Sequence, residues 1–223
     1  MKKISINNII KFRKRSDKTR KSFLSSLDKE STTKTNDTGG NYWVRSLSAM
    51  SKSFKFNNTE PIKEKIAEIL ELFTPNLTKQ TKDMYQRNLN ILYNYEDFEF
   101  SNWIPENSEI ISKYKKKSII YIDTIPVQIT PSQIYSFTKN NQKYIGAIWF
   151  VAKLDGYKKE ELGMFAEALF IYLNNNFDTT YEISLKNCLV VDVIEQQEIN
   201  YKMLVDKKIP AVLNTTLDLI KKT

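Results

Sequence analysis

The chain has 223 residues, 41% hydrophobic and 27% charged, with a net charge of +8, which is enough for one substantial core. Histidine is absent, which excludes Ser-His-Asp and Cys-His catalysis, HExxH zinc sites and histidine pH switches. The single cysteine, Cys188, excludes disulfide frameworks and thiolate metal clusters, and the five glycines form neither GxGxxG nor GxxxxGK[ST] phosphate loops.

Taken in chain order, the first element is basic. Residues 1–28 hold nine cations (Lys2, Lys3, Lys11, Arg13, Lys14, Arg15, Lys18, Arg20, Lys21) against Asp17 and Asp28, a net +7, which leaves only +1 for residues 29–223. Ile6, Ile9 and Ile10, then Phe23, Leu24 and Leu27, recur at helical spacing, with Ser16-Asp17 as a cap or break. We therefore expect residues 1–28 to be a basic helical arm, an electrostatic footprint for phosphates or an anionic surface. Its plainer alternative is a solvated helix face that keeps the protein soluble. Residues 29–41 (KESTTKTNDTGGN) are polar and unpatterned and read as a flexible linker, which leaves 42–223 as a single domain.

Tyr42, Trp43, Val44, Leu47, Met50 and Phe54 predict an amphipathic helix whose aromatics belong to a core stripe. Thr59-Glu60-Pro61 is a helix start, with Ile62, Ile66, Ile69, Leu70 and Phe73 as the buried stripe before Pro75. A further helix is expected over 78–95, carrying Met84, Tyr85, Leu89, Leu92 and Tyr93. From residue 118 the pattern turns to strands: Ile119–Ile122, Val127–Ile129, Gln133–Phe137 and, after an Asn140-Asn141 turn, a long buried strand over 143–154. A helix over 158–175, a buried strand over 188–193, a short element over 198–203 and a closing helix over 211–222 complete the chain. The fold class is α+β: a helical N-terminal half, then a central mixed sheet flanked by helices.

Hairpin, long strand and crossover helix, over residues 60–195, resemble in element order the αβββαβ core of the PD-(D/E)XK nuclease superfamily. That resemblance implies a restriction-endonuclease-like fold, a Mg²⁺ or Mn²⁺ ion held by strand carboxylates, and a lysine assisting attack on a phosphodiester. Where the family has Pro-Asp, this chain has Pro131-Ser132-Gln133, and where it has (D/E)-x-Lys it has Val151-Ala152-Lys153. Lys153 alone matches the motif, so the implied domain is degenerate.

Relocated acids offer an alternative site. Asp123 ends a predicted strand, Asp155 follows the long strand, and Glu160, Glu161 and Glu167 lie on the next helix, so Asp123, Asp155 and Glu161 with Lys153 are the candidate catalytic group. Acids in a first helical turn also simply complement the macrodipole. Glu167 and Asp192 stand inside apolar runs, where a carboxylate is costly unless paired. Cys188 opens a buried strand and reads as a small core residue.

Three functions follow. The first is a nucleic-acid-binding protein with a non-catalytic nuclease-like domain, in which Lys11, Arg13, Lys14, Arg15, Lys18, Arg20 and Lys21 neutralise phosphates and no cofactor or metal is needed. The second is an assembly subunit whose arm orders on a protein partner. The third is a phosphodiesterase using the displaced acids with Mg²⁺ or Mn²⁺. No run reaches the length of a membrane span, the longest apolar stretch being Ile145 to Ala152, and the lack of disulfides fits a cytoplasmic location.

Overall fold

The structure is a computed structural model that describes residues 3–30, 42–111, 117–177 and 179–223, with the backbone alone at 28–30. The linker expected over 29–41 lies outside the described residues from position 31 on, as does Lys2.

The chain enters the fold at once. Ile4–Ser5 form a short strand, β1, and the Ser5 hydroxyl caps helix α1 (Ile6–Arg13) by accepting from the Asn8 N–H at 3.3 Å. Ile6, Ile9, Ile10 and Phe12 of α1 are all buried, at the spacing that puts them on one face. Helix α2 (Asp17–Glu30) follows after three residues, and it turns Phe23, Leu24 and Leu27 toward the same core. The expectation of an arm set apart from the body is therefore corrected for β1 and α1. Their charges are exposed, but their isoleucines are too apolar to leave in water and they fill the main core.

Three helices come next. In α3 (Val44–Phe56), Ala49, Met50 and Phe54 are buried, and Asn57 ends the helix in the left-handed conformation at φ 50°. Helix α4 (Glu60–Leu72) starts with Pro61 in its first turn, where the missing N–H has no helical partner to lose. In α5 (Lys79–Asn94) the Thr78 hydroxyl accepts from the Thr81 N–H. The buried Asn88 of α5 bonds the Ser46 N–H and hydroxyl with its oxygen, and donates to the carbonyls of Tyr42 and Met84. Tyr42 and Trp43 precede α3 rather than belonging to it, and Trp43 is buried.

Strands β2 (Glu109–Ile110), β5 (Gln133–Lys139), β6 (Gln142–Val151), β7 (Glu182–Asp192) and β8 (Gln197–Asn200) form a five-stranded sheet in the order β2-β5-β6-β7-β8. Asn140 and Asn141, both at positive φ, make the tight turn between β5 and β6, whose backbone matches strand twist. Helix α6 (Lys159–Asn176) carries the chain from β6 to the parallel β7. The hairpin β3 (Ile119–Ile122) and β4 (Ile125–Gln128) leaves this sheet and joins β1 in a second one, ordered β1-β4-β3. A single central sheet was expected; instead the hairpin pairs with the first strand of the chain, Ile4 with Val127 across 123 positions of sequence, and not with the five-stranded sheet. The short element expected over 198–203 is β8 running into helix α7 (Tyr201–Val205), and α8 (Leu213–Lys222) closes the chain.

Residues of β6 and β7 alternate between two cores. Ile145, Ala147, Val151, Cys188 and Val190 face one core, built with α1, α6, α8 and the second sheet. Ile148, Phe150, Leu189 and Val191 face the other, built with α3, α4 and α5. The five-stranded sheet is thus the middle layer of three, which is why its two inner strands read as near-continuous apolar runs. The fold class is α+β. Among the described residues no helix is long and apolar enough to cross a membrane.

Candidate nucleic-acid interface

Helix α2 has two faces. Arg20, Phe23, Leu24 and Leu27 turn inward, while Lys18, Lys21, Ser22 and Ser25 form an exposed stripe at helical spacing. Lys11 and Arg13 are exposed on the last turn of α1, where cations also complement the C-terminal dipole. The charged side-chain groups of Lys11, Arg13, Lys18 and Lys21 make no ion pair or hydrogen bond among the described residues, and Lys21 takes part only through its carbonyl, which accepts from the Ser25 hydroxyl at 3.1 Å.

The other three expected phosphate ligands are engaged. The Arg15 guanidinium lies 4.3 Å from the Phe23 ring centroid, and that of Arg20 lies 5.2 Å from Phe12 while pairing with Asp17. These contacts pin the start of α2 against α1. Lys14, just past α1, forms an ion pair with Glu161 at the third position of α6.

Glu161 is a hub. Its carboxylate also accepts from the Lys158 N–H at 3.2 Å, closing the first turn of α6, and stands 3.5 Å from Lys153 Nζ. Burial alone would push Glu161 upward, but the Lys14 hydrogen bond, the Lys158 N–H and the Lys153 charge together hold it below the usual carboxylate range. The hydrogen bond to Glu161 in turn raises Lys14. Lys153 also donates to the Gly156 carbonyl at 2.6 Å and lies 5.1 Å from the Tyr157 ring centroid. The sequence placed Lys14 in a phosphate-binding arm and Lys153 and Glu161 in a catalytic group; the fold makes them one cluster across the junction of α1, α6 and the end of β6.

The remaining candidates go elsewhere. Asp123 sits at positive φ in the β3–β4 turn and accepts from Lys221 at 2.7 Å, and Asp155 is exposed in the loop after β6. Among the described residues no three carboxylate or cysteine side chains come together to hold a metal, so Asp123, Asp155 and Glu161 do not form the group that was considered. Neither motif position substitutes for it. Ser132, where Pro-Asp would place its acid, accepts from the Phe150 N–H at 3.0 Å and extends the β5–β6 ladder, and Val151 is buried.

Both acids singled out within apolar runs are buried. Asp192, at the end of β7, accepts from the N–H groups of Tyr157 at 2.8 Å and Ile194 at 3.1 Å, and its burial raises it against these bonds. It thereby fixes the loop that leads into α6. The Tyr157 hydroxyl donates to Asn7 at 2.7 Å, a second tie between this loop and α1 that no local sequence signal marks, since 150 positions separate the two. Glu167 accepts from the Leu213 N–H at the start of α8, but its Oε2 is buried without a partner and burial raises it above the usual carboxylate range. Cys188 is fully buried, which pushes its thiol up and leaves it a core residue.

No family model, curated protein or solved structure matches the chain.

Proposed function

We propose that the protein binds nucleic acid through the phosphate backbone, using the exposed cations of α1 and α2, on a nuclease-like core that does not itself cleave. The observation that carries this reading is the set Lys11, Arg13, Lys18 and Lys21: exposed, with charged groups that have no partner among the described residues, and borne on α1, anchored by buried Ile6, Ile9, Ile10 and Phe12, and on α2, whose half-buried Phe23, Leu24 and Leu27 pack on the same core. A cation on a fixed helix loses less freedom on meeting a phosphate than one on a mobile tail. The nuclease-like part of the reading is supported by the order of strands around α6. Three antiparallel strands, β2, β5 and β6, precede a crossover helix and a parallel fourth strand, with the β3–β4 hairpin inserted after the first. The non-catalytic part is supported by Ser132 and Val151 standing where the motif carboxylates would be. Sequence specificity in such an interface is low, because phosphate contacts position a protein without reading bases.

The test is fluorescence anisotropy with labelled single- and double-stranded oligonucleotides over a salt series, comparing the intact chain with its K11E/K18E/K21E variant. Binding should weaken steeply with salt, and the log–log slope of the variant should be shallower by about three, roughly one per lost phosphate contact. Absence of binding by the intact chain in about 50 mM salt, or an unchanged slope in the variant, would overturn the interface. Gels of the same samples with Mg²⁺ or Mn²⁺ should show intact oligonucleotide; cleavage that co-purifies with the protein would overturn the non-catalytic assignment.

A further inference from the structure

The junction between the end of α1 and the first turn of α6 encloses a cleft of about 230 Å³. Ile10 and Met164 contribute apolar wall, and Arg13, Lys14 and Lys158 bring three cations to it, together with the carboxylates of Glu160 and Glu161. The two acids do not make it an acidic site. Glu161 is engaged by Lys14 on one side and Lys153 on the other, so around the cleft four cations stand against two carboxylates. Arg13 and Lys158 have no ion-pair partner among the described residues, and both are exposed. An ammonium has three donors, and the Lys14 Nζ gives one to Glu161, which leaves two. The positive end of the eighteen-residue α6 adds to the same potential.

We propose that this cleft seats one phosphate group, gripped by Arg13, Lys14 and Lys158, with Glu161 as the positioning residue that holds Lys14 at the rim. Arg13 supplies a planar fork that can meet two phosphate oxygens, and the lysines supply point charges on either side. Glu161 removes the freedom that a surface lysine would otherwise lose on binding. The inference rests on the nucleic-acid reading only for the source of the phosphate: the end of a strand, as a monoester, or its interior, as a diester.

The experiment measures the melting temperature of the intact chain and of R13A/K158A in inorganic phosphate and in chloride at matched ionic strength. Both replaced side chains are exposed, so the variant should melt with the intact protein in chloride. We expect about 20 mM phosphate to raise the intact protein by roughly 2 °C or more and to leave R13A/K158A unmoved. No rise in the intact protein, or an equal rise in the variant, would overturn the seat. Oligonucleotide titrations then identify the source. A strand ending in phosphate that binds several-fold tighter than the same strand ending in hydroxyl, with the difference lost in R13A/K158A, assigns a terminal monoester. Equal binding of both strands, weakened in K158A alone, which leaves every cation of α1 and α2 in place, assigns an internal diester. The two proposals fail separately: a phosphate rise without oligonucleotide binding sinks the nucleic-acid reading and keeps the seat, whereas oligonucleotide binding without a phosphate rise does the reverse.

Discussion

Truncating Phe12 to alanine tests whether the basic N-terminal segment is part of the folded body. Phe12 is wholly buried among Ile4, Ile6, Ile9 and Ile10 of the same segment and the apolar side of α6. Removing a buried phenylalanine ring forfeits its transfer energy and leaves a cavity, together about 3–5 kcal/mol. Loss of the Arg20 guanidinium contact over the same ring adds about 0.5–1 kcal/mol. Against a total stability of about 5–15 kcal/mol this is a severe perturbation. At roughly 2–4 °C per kcal/mol for a chain of this size, the melting temperature should fall by about 7–24 °C. The assay is urea and thermal unfolding followed by far-UV circular dichroism, with Phe56→Ala as the control, since that ring is 58% exposed and its removal should cost within about 0.5 kcal/mol. A loss below about 1 kcal/mol for Phe12→Ala would refute the reasoning and restore a detachable arm. The same arithmetic implies that deleting residues 1–28 removes five fully or nearly fully buried side chains and unfolds the protein, so the role of the basic residues is read from charge substitutions.

Two further outcomes follow from buried contacts. Glu167→Gln should stabilise the protein by about 1 kcal/mol at pH 7–8, because it removes a buried charge while its amide oxygen keeps the acceptor for the Leu213 N–H. Burial raises Glu167 in the folded state, so the folded protein holds this proton more tightly than the unfolded chain; stability from this group is lost as pH rises from the usual carboxylate value through the raised one, and the advantage of Gln should vanish at about pH 4. Parallel pH dependences of the two proteins in chemical denaturation would count against this. Gly146→Ala should cost about 1–3 kcal/mol, since a Cβ there would lie 2.7 Å from Asn187 Cβ and 2.9 Å from the Asn187 carbonyl oxygen, at the irregularity between β6 and β7. Unfolding in urea measures it, and an alanine variant as stable as the parent would show that the strands can part at no cost.

Much of the helical layer was legible because its signals are local. Pro61, Thr78 and the stripe Ile62, Ile66, Ile69 specify α4 and the start of α5 within windows of a few residues, and the structure places those helices within one or two positions of the reading. The Asn140-Asn141 turn was legible for the same reason: two residues that tolerate positive φ, set between apolar runs, specify a hairpin without reference to anything distant. The second sheet was not legible, because nothing in Ile4-Ser5 announces that its partner is Val127-Gln128.

The candidate site divides along the same line. Lysines and arginines of α1 and α2 could be named from charge counting, and the outward stripe of Lys18 and Lys21 from helical spacing. Whether a cation is unpaired or already engaged depends on what packs beside it. Arg15, Arg20 and Lys14 carry the same formal charge as Lys11, Arg13, Lys18 and Lys21, yet the first two lie against aromatic rings and the third is bound to Glu161. Conversely, Asp123 and Glu161, once grouped as acids, are drawn apart by Lys221 in one case and by Lys14 and Lys153 in the other.

By itself, the sequence determined the exclusions, the helical and strand segments, the α+β class and the concentration of positive charge before residue 29, all of which depend on composition or on residues within a turn of one another. The tertiary structure alone decided that this charged segment is also a core element, that the strands divide into two sheets, and that Lys14, Lys153 and Glu161 meet. Each of these joins residues far apart in the chain, and their partners are chosen by the burial of isoleucines and by the energetic need to pair a buried carboxylate, neither of which leaves a pattern in any short stretch of sequence.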